Sequence, residues 1–271
     1  MTTLTQRNDN ATVHASLVGA HASLVRQSLI HAGRLMRRWT REPEIMIQSM
    51  IFPTALLLMY QLVLSRFLSA SSGRASIEGF VPLVAVTATM FGAMATGTSL
   101  HAEAENGLLD RWRALPGYRA AIPAGRLLAE CARTLGATVL LLLIGAALGL
   151  RWHTGVLSAI GALLVPVLLV MGFATMVMAL AMSRAGAKIV ELSSILILLG
   201  MFFNSGFVPV DQYPGFLQPV VRAQPMSVAI DAMRGLISGG PVAMPVLYTA
   251  LWSVGLTLLF GGRIAIQLIE P

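Results

Sequence analysis

The sequence predicts an all-α integral membrane protein with six transmembrane helices, an N-terminal amphipathic interfacial helix and a re-entrant helical segment between spans five and six. Three observations predict it. Six stretches, residues 45–64, 80–100, 134–150, 154–183, 192–210 and 235–262, are apolar and contain no Asp, Glu, Lys, Arg or His. Each approaches or exceeds the roughly 20 residues that a helix needs to cross about 30 Å of hydrocarbon, whereas a helix in a soluble core keeps charge on its outer face. Charged residues make up 11% of the chain and hydrophobic ones 56%, against about 25% charged in soluble domains. The third observation is where the basic residues fall. With six spans and the N-terminus inside, the outer segments hold Arg66, Arg74, Arg151, Arg222 and Arg234, and the inner segments hold the remaining fourteen of the 19. That bias places both termini on the cytoplasmic side of a multi-pass cell-membrane protein. It also accounts for the net charge of +7 without nucleic acid as a partner.

Residues 1–16, rich in Thr, Asn and Gln, read as a disordered tail ahead of one membrane domain over 17–271. From Leu17 the pattern turns helical: Leu17, Val18, His21, Leu24, Val25, Ser28, Leu29, Ala32, Leu35, Met36 and Trp39 recur at i+3/i+4, with Ile30 the one misfit. Arg26, Arg34, Arg37, Arg38 and Arg41 fall within an arc of about 120° on the opposite side. A helix of this kind, just before the first span, lies along the inner surface with its arginines toward anionic headgroups or an acidic partner. Pro43 ends it, because the residue before a proline is pushed out of the α region.

Spans one and two are joined by a short outer loop, 66–79. The sizeable inner loop, 101–133, follows span two and carries Glu103, Glu105, Asp110, Arg111, Arg113, Arg119, Arg126, Glu130 and Arg133. Spans three and four turn at 151–155, and spans four and five at 183–191. Residues 204–241 are too apolar for a free loop and too interrupted, by Pro209, Pro214, Pro219, Pro225 and Pro241, for a span. Pro225 opens a short helix at its first turn, Met226, Ala229, Ile230 and Met233 share one face, and Gly239-Gly240-Pro241 stops it. Asp231 and Arg234 sit at i,i+3 on the polar side. This segment reads as one or two short helices dipping into the outer leaflet, where protein or water must satisfy the broken backbone. Gly206, Pro209, Asp211, Pro214, Pro225, Asp231, Arg234 and Gly239 form the candidate outer gate.

Missing chemistry narrows the function. The sequence contains no Gly-x-x-x-x-Gly-Lys-[Ser/Thr], so it holds no nucleotide through a P-loop. It has no Gly-x-Ser-x-Gly or His-Glu-x-x-His, one cysteine, Cys131, and five histidines that never fall at i,i+3 or i,i+4. Catalytic residues, a metal site and a bound cofactor are therefore not expected. Spans without a charge offer no relay for protons or ions, so the work either needs no energy or draws it from another protein.

Two stretches carry a resemblance. The inner loop from Glu103 through Asp110, Arg111, Trp112 and Arg113 to Pro116 resembles the acidic motif after the second span of type-2 ABC exporter permeases. Ser205-Gly206-Phe207-Val208-Pro209-Val210-Asp211-Gln212-Tyr213-Pro214, continuing through Gln224-Pro225-Met226 to Ala232-Met233-Arg234-Gly235, is similar to their segment between spans five and six. The nearest branch is the daunorubicin-resistance (Drr) permeases of actinobacteria, and Ala102 and Ala104 depart from its usual charged residues. The resemblance implies a pair of six-span permeases, identical or homologous, with two ABC ATPase subunits on their inner face that bind the ATP and Mg. It implies that Glu103, Glu105, Leu109, Asp110, Arg111, Arg113 and Pro116 form a coupling helix that docks the ATPase, with the N-terminal helix beside it. The function it implies is export of a hydrophobic drug or a complex cell-envelope lipid. The alternatives are export of a lipid-linked glycan or teichoic acid, and a membrane-embedded lipid-modifying enzyme; the latter would need catalytic carboxylates at one face, which only Glu103, Glu105 and Asp110 approach.

Overall fold

The computed structural model describes residues 23–41, 47–64, 77–108, 111, 118–183 and 186–269, and these are helical with no strand among them. The tail 1–16 lies outside the described residues. Helix α1 spans Leu24–Trp39 and starts at Ser23, whose Oγ accepts a hydrogen bond from the Arg26 amide at 3.3 Å and satisfies one of the open N-terminal donors. Helix α2 has an α-helical centre, Phe52–Met59, with wider π turns on either side, Ile47–Ile51 and Tyr60–Leu64. The long helices follow: α3 (Ile77–Glu105), α4 (Ala121–Ala147), α5 (Val156–Ala181) and, last in the chain, α9 (Ala243–Ile269). Between α5 and α9 come α6 (Gly186–Phe202), a 3-10 turn at Val210–Gln212, and the short helices α7 (Gln218–Ala223) and α8 (Pro225–Ser238).

Four of these helices, α3, α4, α5 and α9, are long and apolar enough to cross a membrane; the apolar part of α2 is shorter, and α6 has 17 residues. Helix α3 is the axis of the bundle. Of its most apolar stretch 78% is buried inside the molecule, against 11% for α9, so α3 packs against protein over most of its surface and α9 lies on the perimeter. Helices meet where small residues let backbones approach. A Cβ added to Gly172 of α5 would lie 2.7 Å from the Cα and carbonyl oxygen of Ser253 on α9, and Ser253 Oγ donates to the Leu168 carbonyl at 2.5 Å. Gly97 of α3 faces Val177 of α5, and Gly145 of α4 faces Val81 of α3. Gly97, Gly145 and Gly172 thus serve packing within one chain, whereas Gly136, Gly149 and Gly255 face open space.

Several boundaries differ from those read off the charge-free windows. Helix α3 continues past residue 100 to Glu105, and α4 begins at Ala121 rather than 134. The described residues of the segment expected as one inner loop, 101–133, are therefore largely helical, and Glu103, Glu105, Arg126, Glu130 and Arg133 sit on the ends of the long helices. The reason is pairing: a charge that meets its opposite inside the bundle does not have to end the apolar helix. Helix α6 starts at Gly186, so Lys188 and Glu191 lie in it, and it stops at Phe202. There the Asn204 amide donates to the carbonyls of Gly200, at 3.3 Å, and Met201, which takes up two acceptors left open at a helix C-terminus. The window 235–262 is split. Residues 235–238 end α8, Gly239 caps it at φ +80° with its amide on the Gly235 carbonyl at 2.9 Å, and α9 starts afresh at Ala243. This is the left-handed cap that glycine adopts without steric cost.

Candidate functional site

The chemistry of the molecule gathers at the two ends of α3. At 1.5 Å per residue, 29 residues separate those ends by about 43 Å. Glu78 stands at one end and Glu103 at the other.

Around Glu103 three helices are tied by charge. Its side chain is 7% exposed; Oε1 accepts from Arg38 Nη1 of α1 at 3.0 Å, and Oε2 is paired with Arg126 of α4, itself 3% exposed. One turn further along α4, Glu130 accepts from Arg133 through Nε at 3.1 Å and Nη2 at 2.6 Å, and from the Thr96 hydroxyl of α3. Glu130 is 1% exposed and Arg133 10%. Such fork-on-carboxylate contacts are among the stronger hydrogen bonds. Gly92 makes room for this pair: a Cβ there would fall 1.5 Å from Arg133 Nη2. Helix α1 rests on the same region. It buries Ser28, Ala32 and Leu35 against α4, where Gly125 takes the His31 Cβ at 2.5 Å from its own absent Cβ. Burial and the nearby Arg34 charge hold the His31 imidazole below its ordinary pKa. Val25, Leu29 and Met36 stay exposed on the next face, with Arg26, Arg34, Arg37 and Arg41 exposed beyond them. The helix thus has one face packed on protein, one exposed apolar face and one exposed basic face, with Ile30 exposed among the arginines.

At the Glu78 end, α8 is wedged among α3, α5 and α9, with Met226 and Ile230 among its fully buried side chains. Asp231 accepts from Ser205 Oγ at 2.8 Å and from Arg234 Nη1 at 3.3 Å, and Arg234 Nη2 donates to the Ser205 carbonyl at 3.2 Å. Burial pushes the Asp231 carboxyl upward in pKa, and the Ser205 hydrogen bond and the Arg234 charge oppose it. The pair therefore fastens α8 to the strand of chain that leaves α6, rather than simply presenting a polar face. Ser238 Oγ reaches Glu78 Oε2 at 3.1 Å, His153 Nδ1 lies 3.7 Å from Glu78 Oε1, and the His153 amide donates to the Ile237 carbonyl at 3.2 Å. Tyr213 donates to the Asn204 carbonyl at 3.1 Å.

The residues singled out from the sequence are distributed as follows. Of the coupling set, Glu105 is exposed on the last turn of α3 and Arg111 is exposed, while Leu109, Asp110, Arg113 and Pro116 lie outside the described residues. Glu103 does not stand on the surface; it faces inward, because two arginines neutralise it there. Of the outer set, Pro209 precedes the 3-10 turn that holds Asp211, Pro214 accepts from the Leu217 amide at 2.8 Å, and Pro225 opens α8. Gly206 has no left-handed φ. What it needs is space, since a Cβ would lie 2.8 Å from Asn204 Oδ1 and from Leu83. Arg126, Glu130 and Arg133 had been read only as charges of an inner loop, and Thr96 had not been singled out. The signal was present: 126, 130 and 133 repeat at i+4 and i+3 on the face that also carries Ala129, Ala137 and Leu141.

The sequence profile of the ABC-2 type transporter family matches residues 26–237. The chain is 34% identical over 242 residues to a protein of Mycobacterium tuberculosis named as a probable doxorubicin resistance ABC transporter permease, DrrC, with 89% of this chain and 88% of the relative covered. It is 32% identical over 242 residues to a daunorubicin resistance ABC transporter permease, DrrB1, of Streptomyces coeruleorubidus, with 88% and 82% covered.

Proposed function

The chain belongs to the ABC-2 type transporter family, and on that premise we propose that it is the permease subunit of an ATP-driven exporter that moves a hydrophobic drug or a complex cell-envelope lipid out of the cell. Helices α2, α3, α4, α5, α6 and α9 form the six spans, with α7 and α8 re-entrant at the outer side and both termini in the cytoplasm. An ABC ATPase pair binds ATP and Mg at the inner face, and a second permease, identical or homologous, completes the path. The observation that carries this reading is that a chain lacking any P-loop aligns over 89% of its length with a permease named for doxorubicin resistance. The uncharged middles of the long helices support it, since hydrophobic cargo needs no polar guidance there. Doxorubicin is fluorescent, so its efflux from cells carrying this permease with its cognate ATPase tests the reading. Retention equal to cells without the permease refutes the drug branch. A single cysteine at Ser72 or Gln218 should be labelled from outside intact cells and one at Asn106 only after permeabilisation; the reverse pattern overturns the orientation.

Glu105, Asp110 and Arg111 are assigned to the ATPase contact, and Glu103 acts behind them by holding α1, α3 and α4 together. Glu105→Ala with Asp110→Ala is expected to reduce recovery of the ATPase in a pull-down at least about threefold while insertion is unchanged, as loss of exposed charge pairs worth a few tenths to 1 kcal/mol each predicts. Undiminished recovery removes these residues from the docking surface. At the outer side, Gly239 sets a bend of the gate and Gly206 its close packing on Leu83. Gly239→Val forces a β-branched residue to φ +80°, a conformation costing about 1–3 kcal/mol. Export should fall while the complex with the ATPase still co-purifies; normal efflux would make the segment a passive loop.

A further inference from the structure

The chain that leaves α6 is fastened from three sides. Ser205 ties it to α8 through Asp231 and Arg234. Gly206 lies against α3, where a Cβ would fall 2.8 Å from Leu83 Cδ1. Phe207 reaches the third side: its ring meets that of Tyr60, on α2, nearly edge to face, with centroids 5.2 Å apart and planes at 79°. The same tyrosine rests on Phe80 of α3, at 5.8 Å and 41°. Tyr60 is 6% exposed and Phe80 2%, so the three rings belong to the interior. Helix α2 packs on α3 and α4, and the Tyr60 ring carries it one element further, to the outer segment.

The backbone at Tyr60 is unusual in a way that bears on this contact. Tyr60 opens the π turn Tyr60–Leu64. The π turn at the other end of α2, Ile47–Ile51, precedes Pro53, which has no amide hydrogen and crowds the carbonyl four residues back. Tyr60-Gln61-Leu62-Val63-Leu64 contains no proline or glycine, so its wide turn has no such cause within its own sequence. Single π turns inside helices concentrate at functional sites, because they set a side chain in a register that an unbroken α-helix would not give it. Here the side chain at the start of the turn is the one that meets Phe207.

We propose that Tyr60 is the positioning residue through which the first apolar helix holds the outer gate: its ring, and not its hydroxyl, keeps Phe207 and with it residues 205–213 beside α3. Aromatic pairs at these separations shift a local equilibrium roughly two- to tenfold beyond what their buried area gives. The proposal rests on the reading of 204–241 as the outer gate, and deepens it by naming what α2 contributes. Hydrogen exchange shows whether Tyr60 holds the segment, whatever the cargo; efflux shows whether holding it serves export. A parent that exports no doxorubicin therefore sinks the drug branch and leaves the exchange result to decide this one.

Exchange is read at amides 205–213 of the full permease in phosphatidylcholine nanodiscs, where its rate follows the local opening equilibrium. Tyr60→Leu should speed it at least about threefold, and Tyr60→Phe, which keeps the ring, should leave it at the parental rate. Phe207→Leu breaks the same contact from the other side and should match Tyr60→Leu. The two together should be no faster than either alone, since one contact is lost only once. Parental exchange in Tyr60→Leu overturns the proposal, as does a double variant whose effect is the product of the singles. So does a speed-up spread equally over α3 and α5, which would make Tyr60 an ordinary core residue. In cells with the cognate ATPase, doxorubicin efflux should fall at least about threefold in Tyr60→Leu and persist in Tyr60→Phe, with the ATPase still co-purifying from both. Loss of efflux in Tyr60→Phe would move the role to the hydroxyl and overturn the ring assignment. Full efflux from Tyr60→Leu would show that the contact steadies the segment without serving transport, and the positioning role would fall.

Discussion

Glu103→Ala is expected to cost the folded protein about 3–5 kcal/mol, the loss found when one partner of a buried ion pair is removed and the other is left charged in the interior. Arg126 is the side chain left behind: it is 3% exposed and Glu103 is the carboxylate that meets it. Arg38 suffers less, since half of it is in solvent. The thermal midpoint of the detergent-solubilised protein and the yield of the monodisperse species report the effect. Glu103→Leu combined with Arg126→Met should recover most of the loss, because a matched apolar pair removes both desolvation penalties. A midpoint for Glu103→Ala within error of the parent would show that the three helices are held by packing alone.

Gly172→Leu is the second large effect, expected at or above the upper end of the roughly 1–3 kcal/mol typical of overpacked cores. The first atom added would meet the Ser253 backbone at 2.7 Å, and a helix backbone cannot swing aside as a side-chain tip can. Helices α5 and α9 must separate, and the bond from Ser253 Oγ to the Leu168 carbonyl goes with them. Gly255→Leu on α9 is the control: nothing lies within 4 Å of its Cβ position, so it should change the midpoint little. Equal stability of the two variants would show that α9 adjusts to bulk at this contact.

What could be read in the sequence was whatever follows from local pattern. Apolar length gave the long helices, Pro225 and Gly239 marked the ends of α8, and the spacing of apolar residues in α1 gave a face of which Ser28, Ala32 and Leu35 are buried while Leu24, Val25, Leu29 and Met36 stay exposed. What could not be read depended on partners distant in the chain. Arg38 and Glu103 are 65 positions apart and Glu103 and Arg126 are 23 apart, so the rule that a charge ends a span failed where two charges cancel. The same logic applies to 192–210, where the side chain of Asn204, not a change in hydropathy, stops the helix. Asp231 and Arg234 were recognised as a pair, but their shared hold on Ser205 needed the tertiary fold.

The Glu103–Arg126 pair bears on how the chain is made. Helices α3 and α4 are consecutive, so they leave the ribosome one after the other, and each alone would carry a charge near the edge of its apolar length. An unpaired charge costs about 2.5–3.5 kcal/mol at the centre of an inserting helix and less toward its ends, where these two lie. Held together as a hairpin, the two cancel one another before they reach lipid. The insertion machinery would then handle α3 and α4 as a single unit, with α1, synthesised first, docking last through Arg38. A nascent chain halted after α3 should slip back from the membrane more readily than one halted after α4.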